Sequence, residues 1–243
     1  MPKTQQKAFR DALDKVLHSH IDQDPHPAIL ALFEEKPNPE LLAHISIEAY
    51  QITQHFIDYI EHLHFYCPVQ RYKLPLLVNL YEESTGAISG SKNHISLMED
   101  FLKAQGIDKS RWENVKPNPE TQELIDYRKK ACRNPDTYHI GAAAVMVASE
   151  GQNLEDVAAD ARSTLLEAKY GLAEKDTLFF SIHAIEDIGH TQQGLSLVSE
   201  ICTTDKMKEE ALEAVDHTCK LFWNMYEAIW VKYQAGEGIA YHA

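Results

Sequence analysis

Cysteine is scarce and scattered in this chain of 243 residues: Cys67, Cys132, Cys202 and Cys219 form no C-x-x-C pair. That spacing supports neither a disulfide framework nor a zinc knuckle. Basic residues are also in deficit, with 23 Lys and Arg against 37 Asp and Glu and a formal charge of −14. Phosphate recognition needs clustered cations, so the balance argues against nucleic acid and against an anionic membrane surface as partners. No apolar run reaches the length of a membrane span. The polar opening MPKTQQKAFRDALDKV lacks the apolar centre of a signal peptide, so a cytoplasmic location is expected. Gly and Pro number ten each, too few for extensive disorder, and a hydrophobic share of 44% supplies an ordinary globular core. Strand signals, internal repeats and low-complexity segments are missing.

What is present is helical punctuation from end to end. A first helix is predicted over about Gln5 to Ser19, with Phe9, Leu13, Val16 and Leu17 on one face. A short helix follows Pro25-His26-Pro27, and Asn38-Pro39 opens a long one to about His64. A helix entered at Pro68 runs into Asn79-Leu-Tyr-Glu-Glu83, is interrupted at Gly86 and Gly90, and resumes at Asn93-His94. Asn118-Pro119 opens a helix to Cys132, and Asn134-Pro135 one to Glu150-Gly151. Leu154 to Tyr170 is amphipathic and stops at Gly171; Asp176 is placed as the cap of a helix to Ile201, and Asp205 of one to Gln234. Seven to nine helices without a dividing linker make one all-α domain over 1–243, a bundle with a buried pocket.

Three features bear chemistry. His183, Asp187 and His190 stand at i, i+4 and i+7 in Phe179-Phe-Ser-Ile-His-Ala-Ile-Glu-Asp-Ile-Gly-His, so all three share one helical face. Phe180, Ile182, Ile185 and Ile188 mark that helix as largely buried, where two imidazoles and a carboxylate need the compensation a metal ion gives. A solvent-facing polar cluster would show the same spacing. Glu83 ends an apolar helix, and His94 begins the next. The Gly-interrupted turn between them can aim both at one point, although an exposed helix end would look alike. Glu150 terminates the small, apolar run Gly141-Ala-Ala-Ala-Val-Met-Val-Ala-Ser, either emerging into water or entering a polar site. Together Glu83, His94, Glu150, His183, Asp187 and His190 make three carboxylates and three imidazoles without a thiolate. That set suits two adjacent ferrous ions that activate O₂.

The series Asn79-Leu-x-x-Glu83, His94, Glu150 and His183-xxx-Asp187-xx-His190 resembles the haem-oxygenase-like diiron oxidase and oxygenase family, which includes CADD-like proteins beside the cofactorless PqqC and TenA branches. The resemblance spans about Gln51 to Glu200, and its last motif is the most specific. It implies a haem-oxygenase-like bundle, two iron ions held by those six residues, O₂ as co-substrate, a small-molecule substrate, an external electron source and a homodimer. It also implies Fe/Fe in preference to Mn/Fe, with iron often held weakly until substrate arrives. The para-aminobenzoate-forming branch carries Tyr and Lys where this chain has Ser149 and Asp160, so an external substrate is expected rather than the protein's own side chains.

Rival readings use other residues. A ferritin-like diiron bundle would employ Glu61-x-x-His64 with Asp187-x-x-His190, but leaves Glu83, His94 and His183 idle. A haem protein would use His18 or His20 as axial ligand. A TenA-like enzyme without a redox metal would use Cys132 or Cys202 as nucleophile, and a non-catalytic helical binding protein would keep only a structural metal or ligand. His44, Glu48, His55 and His62 share a stripe that cannot converge on one ion. Tyr50, Gln54 and His55 on that helix are either a pocket wall or a solvated face.

Overall fold

A computed structural model describes residues 3–152, 154 and 162–237. Among these the secondary structure is helical throughout, without a strand. The helices are α1 (Lys3–Ile21), α2 (Pro27–Leu32), α3 (Pro39–Thr53), α4 (Phe56–Tyr66), α5 (Gln70–Thr85), α6 (His94–Ala104), α7 (Pro119–Cys132), α8 (Tyr138–Ala142), α9 (Arg162–Tyr170), α10 (Leu178–Ile201) and α11 (Asp205–Gln234). No helix among the described residues is long and apolar enough to cross a membrane.

Most boundaries follow the Asn-Pro and Gly signals, and the departures have local causes. The helix predicted from Asn38-Pro39 to His64 is two helices, α3 and α4, broken at Gln54-His55. There the Thr53 hydroxyl donates back to the Ala49 carbonyl, and the His55 N–H bonds only three residues back, to Ile52. Such back-bonding tightens and bends a helix without Pro or Gly. Asp176 does not cap α10: its carboxylate accepts from the Ala173 N–H one turn earlier, and Thr177 holds the cap position. Thr204, rather than Asp205, caps α11 through the Met207 N–H. The Leu154–Tyr170 helix is described only from Arg162, and Asp160 lies outside the described residues.

Beyond α8 the chain continues as a π-helix, Ala143–Ser149, before Glu150. The Ser149 hydroxyl donates five residues back to Ala144 at 2.9 Å. A π-turn is wider than an α-turn and re-aims whatever follows it, here Glu150. This segment lies against α10 at Gly194, where a Cβ would sit 2.2 Å from the Met146 carbonyl oxygen; only glycine allows the two backbones so close.

The apolar residues form two cores. One gathers α1, α4, α8, the π-helix and the C-terminal half of α10, with Leu13, Leu17, Leu63 and Leu195 fully buried. The other gathers α2, α3, α6 and the C-terminal half of α11 around Leu41, Phe101, Trp112 and Met225. Polar residues from α5, α6, α10 and the end of the π-helix are buried between them. Ile185 and Ile188, read as marks of a largely buried α10, lie on its outer face, 76% and 46% exposed, while His183 and Asp187 are buried.

Candidate metal centre

α10 presents His183 and Asp187 one helical turn apart, about 6 Å along its axis, with His190 a turn further on. Each end of this row meets partners from elsewhere. Glu83, His94 and His183 bring one ligand-capable atom each within 4.8 Å of one another, and so do Glu150, Asp187 and His190. The structure therefore gathers all six sequence-predicted residues as two trios, the first around His183 and the second around Asp187 and His190 of α10.

The first trio is assembled by the turn between α5 and α6. Gly86 ends α5 with φ +64°, a conformation costly for residues with a Cβ. Glu82 fastens the turn by accepting from the Ile88 N–H at 2.6 Å, the Ser89 N–H at 3.2 Å and the Ser89 hydroxyl. Burial opposes ionisation of Glu82, but these donors hold its carboxyl below the ordinary value. The adjacent Glu83 is left to face His94, with Oε2 2.9 Å from Nδ1. That contact lies off the direction of a ring N–H bond, and neither ring nitrogen of His94 has a hydrogen-bond partner although the residue is buried. Burial disfavours the His94 cation, yet the Glu83 carboxylate beside it raises the pKa overall. His183 stacks edge-on against His94 with ring centroids 4.6 Å apart. Its Nδ1 lies 2.6 Å from the Phe179 carbonyl one turn back, which fixes the proton on Nδ1 and leaves the Nε2 lone pair available.

The second trio is richer in acid. His190 Nδ1 stands 3.6 Å from both Glu150 Oε1 and Asp187 Oδ1. The Asn79 side-chain amide, one turn before Glu83 on α5, donates to Glu150 Oε1 at 3.2 Å. Burial raises the Glu150 pKa, and the Asp187 carboxylate adds to this; burial opposes the His190 cation, but the Glu150 and Asp187 carboxylates raise its pKa well above the ordinary value.

The residues fit divalent metal. Buried imidazole nitrogens without hydrogen-bond partners are costly, and three occur here: both of His94 and Nδ1 of His190. The donors are oxygen and nitrogen only, matching iron in preference to a thiolate-bound metal. Sequence reasoning missed Glu186, which shares α10 with the motif. Its carboxylate joins Glu82 and His94 in a third group within 4.8 Å. Burial raises its pKa, and its Oε2 has no hydrogen-bond partner. The i+3 spacing from His183 was the available signal; the neighbouring Asp187 obscured it.

A cavity of about 140 Å³ opens beside this centre, bounded by Glu83, Glu150 and His183 at one end. Its apolar walls include Ile45, Phe101, Phe179, Phe180, Leu166 and Met225. From α3 the wall is made by Ile45, Ser46, Ala49, Ile52 and Thr53, so Tyr50, Gln54 and His55 are not its lining, and the stripe residues His44 and Glu48 are buried rather than solvated. The other rivals also lose their sites. Glu61 is exposed, His18 pairs with Asp22 at the surface, and His20 pairs with Asp216. Burial pushes the Cys132 and Cys202 thiols up to about 12, and neither lines the cavity, so no activated thiol nucleophile stands there.

The chain is 28% identical over 238 residues to the 4-aminobenzoate synthase of Nitrosomonas europaea, covering 93% of each chain. A TenA homologue from Pseudomonas syringae pv. tomato superposes with a TM-score of 0.73 at 14% identity, over 93% of this chain and 92% of that one. A domain of unknown function with a haem-oxygenase-like fold from Shewanella denitrificans superposes with a TM-score of 0.67 at 17% identity, over 99% and 96%. The fold is haem-oxygenase-like, and residues 43–223 match the model of the iron-containing redox enzymes, the family to which this chain belongs.

Proposed function

We propose that the chain is an O₂-activating non-haem diiron oxidase or oxygenase that acts on a small molecule. The observation that carries this reading is the pair of buried trios one helical turn apart, three carboxylates and three imidazoles, in a member of an iron-containing redox family. Glu83, His94 and His183 would hold one iron, and Glu150, Asp187 and His190 the other. When bound there, two ferrous ions would supply the electrons needed to make O₂ an oxidant of a small substrate.

The protein's own part is positional. The Phe179 carbonyl keeps His183 in one tautomer, and Asn79 orients Glu150. Glu186, with a raised pKa beside His94, can carry a proton next to the centre. The apolar cavity excludes water from the same edge of the centre. Its similarity to a 4-aminobenzoate synthase makes formation of that product a second reading, which the Ser149 and Asp160 departures weigh against.

The test is anaerobic loading with Fe(II), Mössbauer spectroscopy, and O₂ electrode traces with candidate substrates, alongside assay for 4-aminobenzoate formed without any added substrate. Two irons per chain and substrate-dependent O₂ uptake, both lost in His183→Ala with helicity unchanged, are expected. Unaltered turnover in that variant, or no O₂ uptake under any condition with iron bound, would refute the reading.

A further inference from the structure

Arg128, on α7, is one of the largest fully buried side chains, 2% exposed, and it lines the cavity beside the metal centre. No carboxylate among the described residues pairs with it. Its Nε donates to the Leu124 carbonyl and its Nη1 to the Ser149 hydroxyl, both at 3.3 Å, and its Nη2 has no partner. The guanidinium lies between two rings, 4.8 Å from the Tyr59 centroid and 5.5 Å from that of Phe222.

Burying a cation without an anion is costly, and cation–π contacts with two long hydrogen bonds to neutral oxygens offset that cost without supplying a counter-charge. A fork of donors with an unused nitrogen matches the geometry of a carboxylate. Apart from Glu83, Glu150 and His183 at the metal centre and the polar Ser46, Thr53 and Gln152, the walls are largely hydrocarbon and aromatic, with Ile45, Leu166 and Met225 among them, and the volume of about 140 Å³ is that of a single ring or a short chain; an engineered apolar cavity of about 150 Å³ takes benzene. Arg162, 6.0 Å above the Phe180 ring, lines the same cavity.

We propose that the cavity receives a small monocarboxylate, its carboxylate paired with Arg128 and its compact apolar body lying among the cavity walls next to the metal centre. This deepens the diiron reading, since the ligand would be the substrate or its close analogue. Ser149, hydrogen-bonded to Arg128 and adjacent in sequence to Glu150, ties the anion site to the metal site.

The test uses metal-free protein, so that it stands apart from O₂ chemistry and no anion can bind to iron. Benzoate, phenylacetate, hexanoate and 4-aminobenzoate are compared with benzamide, phenylacetamide, hexanamide and 4-aminobenzamide by calorimetry and thermal shift. At least one acid is expected to bind at least about tenfold more tightly than its amide, a difference near 1.4 kcal/mol. Arg128→Met is expected to erase that preference, and Arg128→Lys to keep part of it. If no acid at 5 mM shifts the melting temperature, if acids and amides bind alike, or if folded Arg128→Met still prefers acids, the proposal is overturned. Should either variant fail to fold, the acid–amide comparison in the parent protein decides alone. Acid binding by a protein that never consumes O₂ would refute the diiron reading while leaving this one intact.

Discussion

The two trios both draw on α10 and share a buried setting, yet they are built oppositely. Glu83, His94 and His183 offer one carboxylate and two imidazoles, border the cavity through Glu83 and His183 where the other trio does so through Glu150, and depend on a glycine-ended turn for their placement. Glu150, Asp187 and His190 offer two carboxylates and one imidazole, and they sit between the π-helix and α10, where backbones touch at Gly194. Two buried negative charges neutralise a divalent cation where one leaves it half compensated, and in a medium of low dielectric that difference is large. The second trio should therefore be the tighter and more rigid holder, and the first the looser one, facing substrate.

Metal titration of the apoprotein with Fe(II) or Mn(II) breaks or keeps this comparison most directly. Two classes of site are expected. Asp187→Asn removes a charge from the tight class and should weaken it by at least about a hundredfold, beyond the usual effect of an outer-shell change. His94→Gln should abolish the weak class and leave the tight one in place. Loss of both classes in either variant would mean that the trios bind as one unit.

A narrower distinction lies in Asn79, whose side-chain amide donates to Glu150 of the second trio. Asn79→Ala should weaken the tight class by about tenfold, as removal of an orienting hydrogen bond does. The weak class should not move; equal weakening of both would show that Asn79 acts by holding α5 as a whole.

The helical plan and the six donors could be read from sequence because each rests on a local signal. Asn38, Asn118 and Asn134 each precede a Pro at a helix start, and the i, i+4, i+7 spacing of His183, Asp187 and His190 needs only one helix. What escaped is tertiary. Arg128 reads as one more cation in Tyr-Arg-Lys-Lys on an amphipathic helix, and nothing local shows that it turns into the cavity. The π-helix does not show in Ala-Ala-Val-Met-Val-Ala-Ser either, a run of small and apolar residues that reads equally as an α-helix. The outward apolar residues Ile185 and Ile188 misled for the same reason: periodicity reports which side chains are apolar, not whether anything covers them.

The turn that places His94 gives a smaller effect, confined to the first trio. At Gly86, φ is +64° and a Cβ would lie 2.2 Å from the Lys92 carbonyl oxygen. Gly86→Val should cost about 1–3 kcal/mol of stability, the range for a residue forced into such a conformation. Urea unfolding measures this, and metal titration of the same protein should show only the weak class disturbed. An unchanged midpoint would mean that the turn relaxes freely, and the contrast between a rigid and a hinged trio would lose its basis.

The smallest expected effect marks what the trios do not explain. His55, at the α3–α4 break and away from both trios, has its pKa pushed down to about 4, first by burial and then by the nearby Lys129 and Arg128 charges. In the unfolded chain it titrates near 6.5, so between about pH 6.5 and 4 the unfolded state binds the extra proton. The contribution of neutral His55 is therefore fully present above pH 6.5 and is lost as the pH falls toward 4. Because the side chain is only partly buried, solvent screening limits the loss to about 1 kcal/mol. His55→Gln should flatten the acid limb of stability by that amount and leave metal titration at pH 7.5 unchanged. Urea midpoints of metal-free protein at pH 5 and pH 7.5, in parent and variant, provide the measurement. An acid limb equally steep in both would move its origin away from His55 and toward the buried groups of the metal centre.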